Sequence, residues 1–146
     1  MAILKKLTCT RLLKSDTGHR VYKHESKCSH PHGHEYRYEV TAEADELDSV
    51  GRIIDFSVLK EKIGGWIDDN WDHSFLVFKD DVSLIKALSS VEDSKAPVVV
   101  DWNPTAENIA KYLLLTVCPM VLSGSAVRVT KIKVWETENC FAEASL

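Results

Sequence analysis

No apolar run in this chain reaches the roughly 18 residues that a membrane-spanning helix needs. No block of lysines and arginines occurs, and the formal net charge is -4, which argues against a nucleic-acid partner. Internal repeats, low-complexity tracts and linkers are also missing. The 146 residues are therefore expected to form a single domain, 1–146, large enough for a proper core. The N-terminal MAILKKLTCTRLL has neither a long apolar stretch nor a small-residue cleavage site, which predicts no signal peptide and a cytoplasmic location. Cysteines are few and widely spaced: Cys9, Cys28, Cys118 and Cys140. With no sign of export, reduced thiols are expected. Cys9, Cys118 and Cys140 read as packing residues. Cys28 stands apart, because it lies among histidines.

What the chain does have is a local concentration of metal-ligand chemistry. KCSHPHGHEYRYEV, from Lys27 to Val40, places one cysteine and three histidines within seven residues. From His32 to Ala42 the even positions read His, His, Tyr, Tyr, Val, Ala and the odd ones are mostly polar. That period of two predicts a strand with one inward face. His32 and His34 then project side by side from the face that carries Tyr38 and Val40. Zinc needs at least three protein ligands, and His19, His24 and His30 are candidates for the third. Cys28 could close the coordination sphere, act as a nucleophile or base beside a metal, or be an inert thiol.

Other elements follow from spacing. Phe56, Leu59, Ile63, Trp66 and Ile67 predict a helix, capped by Asp55 or Ser57 and weakened by Gly64 and Gly65. A short helix is expected near Val82 to Leu88 and a short strand in APVVVDW. NPTAENIAKYLLLTVCP reads as a second long helix, entered through Pro104 and Thr105 and stopped by Pro119. AVRVTKIKVWET reads as a final strand whose apolar parity slips between Val129 and Ile132, which predicts a bulge. The resulting fold class is α+β, an antiparallel sheet with two long helices packed on one face.

Two further places carry chemistry. WDHSFLV sets Asp72 beside His73, and a carboxylate that orients an imidazole is a base-tuning arrangement. A polar junction between helix and loop would read the same way. Glu136 continues the inward face of Ile132 and Val134, where a partner with paired N–H donors would satisfy its carboxylate; a strand end whose carboxylate reaches solvent is the alternative. Thr105 and Glu107 fall in a first helical turn, where capping is reason enough for them.

GHR, C-x-x-x-HGH-x-Y, IIDFSVLK, DHSFL, PTAEN and VWET follow one another in an order and spacing that resemble the 6-pyruvoyltetrahydropterin synthase and 6-carboxytetrahydropterin synthase family. The match runs from about Leu12 to Ala144. The resemblance implies Zn2+ as cofactor, with His19, His32 and His34 as its ligands. It further implies Cys28 as catalytic thiol, Asp72 and His73 as relay partners, and Glu136 as the pterin anchor, with Thr105 and Glu107 lining the same pocket. The implied fold is the tunnelling fold, in which sheets of several subunits join into a barrel. A homo-oligomer, trimer or hexamer, with active sites between subunits is therefore expected, an arrangement in which Cys28 could meet His73 only across an interface.

The implied substrate is 7,8-dihydroneopterin triphosphate. The three-residue spacer between Cys28 and His32 resembles the 6-carboxytetrahydropterin synthases of queuosine and other 7-deazaguanine pathways, which release acetaldehyde and triphosphate. A pyruvoyl-forming synthase is the alternative within the class. A non-catalytic, zinc-stabilised assembly module with Cys28 as fourth ligand is the alternative outside it. That third reading leaves Asp72, His73 and Glu136 without a role.

Overall fold

The computed structural model describes residues 1–146. Six strands form one sheet: β1 (Cys9–His19), β2 (His32–Ala44), β3 (Ser74–Phe78), β4 (Val98–Val100), β5 (Val127–Thr137) and β6 (Cys140–Ser145). Their spatial order is β4-β3-β1-β2-β5-β6. β1, β2 and β5 pair antiparallel as expected and β6 extends the antiparallel part, while β3 and β4 add parallel pairs at the other side, so the sheet is mixed where a purely antiparallel one was expected. β3 and β6 were not legible as strands. β3 is a short apolar run directly after the polar DH, and β6 carries only small residues, Cys140, Ala142 and Ala144, on one of its faces, so neither offers a strong period-two hydrophobic signal.

The inward face carries the core. Leu13, Tyr36, Tyr38, Val40, Ala42, Val129, Ile132 and Val134 are buried there with the helices over them. The first long helix spans 56–70, with a π-type turn at Lys60–Gly64. Asp55 is its N-cap, accepting a hydrogen bond from the Ser57 amide at 2.9 Å. Leu59, Ile63 and Ile67, four residues apart, are fully buried. At about 1.5–3 kcal/mol each, they outweigh the roughly 1 kcal/mol that each glycine costs. Gly64 also has a packing reason, since a Cβ there would lie 3.1 Å from Leu13 Cδ2. Nothing in the structure requires a glycine at position 65.

The second long helix spans 106–121 and runs past Pro119 rather than stopping at it. A π-type turn at Leu113–Val117 precedes the proline. That wider turn relieves the clash between a proline ring and the carbonyl one turn earlier. The short helix forms at Val82–Ser89. The slip in β5 is a bulge: Thr41 pairs with Lys131 and Ala42 with Val129, leaving Thr130 as the extra residue. No helix of the structure is long and apolar enough to cross a membrane.

Candidate metal centre and pterin pocket

The β1–β2 ladder sets His19 opposite His32 and Gly18 opposite Gly33. His34, two residues along β2, joins them on the same face. The Nε2 atom of His32 lies 3.2 Å from that of His19 and 3.1 Å from that of His34, and the ligand nitrogens of the three rings all fall within 4.8 Å of one another. Of the candidate third histidines, the structure brings His19 into the group. His24 instead accepts a hydrogen bond on Nδ1 from the Ser26 amide at 2.9 Å. His30 takes part through its carbonyl, 2.6 Å from His32 Nδ1.

The second nitrogen of each ring explains the arrangement. His19 Nδ1 donates to the Pro104 carbonyl at 2.6 Å, and His32 Nδ1 donates to that of His30. With Nδ1 carrying the proton, both Nε2 atoms present lone pairs. Two lone pairs facing each other at 3.2 Å repel unless a cation lies between them, so the donor set fits a metal ion that takes three imidazoles. Burial is the main cause that lowers the pKa of His19 from 6.5 to about 4. The charges of His32 and His34 lower it further, and the Pro104 carbonyl opposes the shift. His34 is lowered as well, by burial and by His32. Neutral imidazole is the form that binds a metal.

Glu136 reaches the same place from β5. Its carboxylate oxygens stand 3.9 Å from His19 Nε2 and 3.9 Å from His34 Nε2. It keeps the inward parity of Ile132 and Val134 and sits at a second bulge: against β6, Trp135 pairs with Phe141 and Thr137 with Cys140, leaving Glu136 as the extra residue. Burial raises its pKa, the charge of Glu107 adds to this, and His32 opposes it. Glu107 is exposed in the first turn of the second long helix, whose N-cap is Thr105, bonded to the Asn108 amide at 3.1 Å.

Other site residues lie apart. Cys28 is half-buried on a single turn, Lys27–Ser29, before β2, and it is not among the converging ligand atoms. Its carbonyl accepts from the Val21 amide at 2.9 Å, which ties the loop back on itself. His73 Nδ1 donates to Asp72 Oδ2 at 2.8 Å, while Asp72 Oδ1 accepts from the Asp16 amide at 2.9 Å. Burial alone would raise the Asp72 pKa, but these two hydrogen bonds and the His73 and Lys95 charges outweigh it and lower the pKa. His73 is exposed and has a left-handed backbone, φ 56°. Asp16 is exposed where Ser15, Thr17 and His19 are buried. The Asp16, Asp72 and His73 group therefore gathers on the side of the sheet opposite the histidine cluster.

Sequence reasoning missed several supporting groups. Asn103 grips the Tyr22 backbone with both ends of its amide, at 2.9 and 3.0 Å, and so holds the chain after His19 against the second long helix. The carbonyls of Pro104 and His30 leave no trace in side-chain patterns. Tyr36 could have been found, because it shares the parity of His32 and His34.

The fold and this site define an α+β protein with a three-histidine group, able to hold a metal ion, beside an inward carboxylate. The chain belongs to the 6-pyruvoyl tetrahydropterin synthase family, whose family model matches residues 8–145. It is 38% identical over 137 residues to a 6-carboxy-5,6,7,8-tetrahydropterin synthase of Rickettsia bellii, covering 94% of this chain and 99% of that protein. Among solved structures it is similar to an uncharacterized protein of Wolinella succinogenes, with TM-score 0.79, 25% identity and 95% and 97% of the two chains covered. The fold is shared with 6-pyruvoyl tetrahydropterin synthase of Caenorhabditis elegans, with TM-score 0.67, 22% identity and 100% and 99% covered.

Proposed function

We propose that this protein is a zinc-dependent 6-carboxy-5,6,7,8-tetrahydropterin synthase. It would convert 7,8-dihydroneopterin triphosphate, with water consumed, to 6-carboxytetrahydropterin, acetaldehyde and triphosphate. The observation that carries the reading is the Glu136 carboxylate held 3.9 Å from two nitrogens of the three-histidine group. The curated relatives of that name and the short spacer from Cys28 to His32 support the carboxy product over the pyruvoyl one.

In this reading His19, His32 and His34 hold Zn2+. When bound, the ion supplies Lewis acidity to the side-chain hydroxyls and acidifies the neighbouring C–H. Glu136 binds the amino-pyrimidine edge through paired N–H groups, and Thr105 and Glu107 line that pocket. Cys28 takes the proton from the side-chain carbon as thiolate. His73, oriented by Asp72, stabilises the thiolate or receives its proton. Because Asp72 and His73 gather on the far side of the sheet, we infer that they serve the Cys28 of a neighbouring subunit, in a homo-oligomer whose sheets join into a barrel. Work in the cytoplasm, in queuosine or related 7-deazaguanine synthesis, completes the proposal. No role in it calls for nucleic acid or membrane.

The module reading loses ground because Cys28 lies outside the converging ligand atoms. Incubating purified, zinc-loaded protein with 7,8-dihydroneopterin triphosphate and identifying the pterin by mass tests the proposal. A pyruvoyl product would overturn the subtype. No turnover with zinc bound would overturn the enzyme reading.

A further inference from the structure

Pro104 holds His19 through its carbonyl, and the residue before it, Asn103, makes a second tie to the same stretch of chain. Asn103 Oδ1 accepts from the Tyr22 amide at 2.9 Å, and its Nδ2 donates to the Tyr22 carbonyl at 3.0 Å. One side-chain amide thus satisfies both backbone polar groups of a residue, as a paired strand would. Asn103 is itself fixed: its carbonyl accepts from the Thr105 amide at 2.7 Å and from Asn108 Nδ2 at 2.9 Å. The entry of the second long helix therefore sets where its side chain points.

Beyond Tyr22 lies the loop that carries Cys28. Lys23, with a left-handed backbone of φ 62°, turns the chain back. The Val21 carbonyl accepts from the His24 amide at 3.1 Å, and the Val21 amide donates to the Cys28 carbonyl at 2.9 Å. Cys28 therefore hangs on Val21, and Val21 adjoins the residue that Asn103 clamps. Residues 23–29 hydrogen-bond only among themselves and their loop neighbours, as in the His24 contact with Ser26. The ties from this loop to other elements come from its root: Arg20 to Asp81, and Tyr22 to Asn103, with the Tyr22 ring stacked on Phe78 at 5.8 Å. Of these, the Asn103 clamp acts on the backbone itself.

We propose that Asn103 is a positioning residue for Cys28: by clamping the Tyr22 backbone it sets where the thiol-bearing loop stands relative to the three-histidine group. His19 and Cys28 then take their places from two adjacent residues, Pro104 and Asn103, of one helix entry. Misplacing a reacting group by about 1 Å can cost on the order of 100-fold in rate, and a loop with so few other ties depends on this one. The role rests on the reading of Cys28 as the catalytic base and adds to it the residue that places the thiol.

The test uses full-length, zinc-loaded protein and two variants. Asn103→Ala removes both bonds to Tyr22; Asn103→Asp has the same shape but sets an oxygen against the Tyr22 carbonyl. Zinc content should be unchanged in both, because the Pro104 carbonyl that orients His19 belongs to the backbone and remains. The Val21 amide should exchange with solvent about tenfold faster, the equivalent of losing one to two ordinary hydrogen bonds, while amides of the β1–β2 ladder keep their rates. With 7,8-dihydroneopterin triphosphate, kcat should fall at least about tenfold and KM stay within about twofold. Unchanged Val21 exchange, unchanged kcat or a loss confined to KM would each overturn the proposal. Loss of zinc or of the fold in both variants would overturn it too, since the amide would then serve the whole helix entry rather than the thiol loop. Failure of the wild-type protein to turn over would instead overturn the synthase reading, and Val21 exchange would still decide whether Asn103 holds the loop.

Discussion

His19 and His32 stand directly opposite each other on β1 and β2, their Nε2 atoms 3.2 Å apart and their Nδ1 atoms each held by a backbone carbonyl. The pairing locks both tautomers, so neither ring can relieve the contact by giving its Nε2 a proton without becoming charged. The three-histidine group could therefore hold a metal ion that accepts those lone pairs.

Alanine at His19, His32 or His34 should therefore strip zinc from the protein, since two remaining imidazoles hold it poorly. His24→Ala and His30→Ala should keep it, because His24 serves the loop and His30 contributes only its carbonyl. Metal analysis after dialysis decides. Retention by His19→Ala with loss by His30→Ala would give the third ligand to the wrong residue.

Glu136→Gln should weaken pterin binding by about 1.5–3 kcal/mol, the value of a hydrogen bond to a charged group, with zinc content unchanged. Titration with a pterin measures it. Unchanged affinity would take Glu136 out of the pocket.

Cys28→Ala should leave folding and zinc content intact and abolish turnover. With cobalt in place of zinc, no strong thiolate-to-metal charge-transfer band should appear, since the thiol is not one of the converging ligands. Cys28 should also alkylate faster than Cys118, which burial pushes to a pKa of about 12. A persistent cobalt–thiolate band would end the case for Cys28 as base.

Stability of the metal-free protein should fall as pH drops from about 6.5 towards 4. Folding lowers the His19 pKa from 6.5 to about 4. Between those values the unfolded chain binds more protons, so stability rises with pH across the window and is complete above it. The effect is up to about 3 kcal/mol. The raised Glu136 pKa acts with the opposite sign. Melting curves of metal-free wild type and His19→Asn should converge at low pH. Parallel profiles would refute the assignment.

Asp81 is buried and takes two hydrogen bonds from the Arg20 guanidinium, just past His19. Asp81→Ala should cost about 3 kcal/mol, the lower end for breaking a buried pair, because Arg20 is partly open to solvent. Urea unfolding measures it. A loss under about 1 kcal/mol would mean that the pair behaves as a surface one.

Much of this was written locally in the chain. The alternation in HGHEYRYEV, the four-residue spacing of Leu59, Ile63 and Ile67, the Asp55 cap and the slip before Ile132 each depend on residues a few positions apart, and each appears in the structure. The inward parity of Glu136 was legible for the same reason. Tertiary structure alone decided the rest. His19 joins the cluster through a ladder register that pairs residues 13 apart in sequence. Its tautomer depends on a carbonyl 85 residues away. β3 is a strand because β1 offers it an edge, and Pro119 stays helical because the turn before it widens. Backbone carbonyls and strand edges are the same for every side chain, so a string of side chains cannot encode which of them will meet.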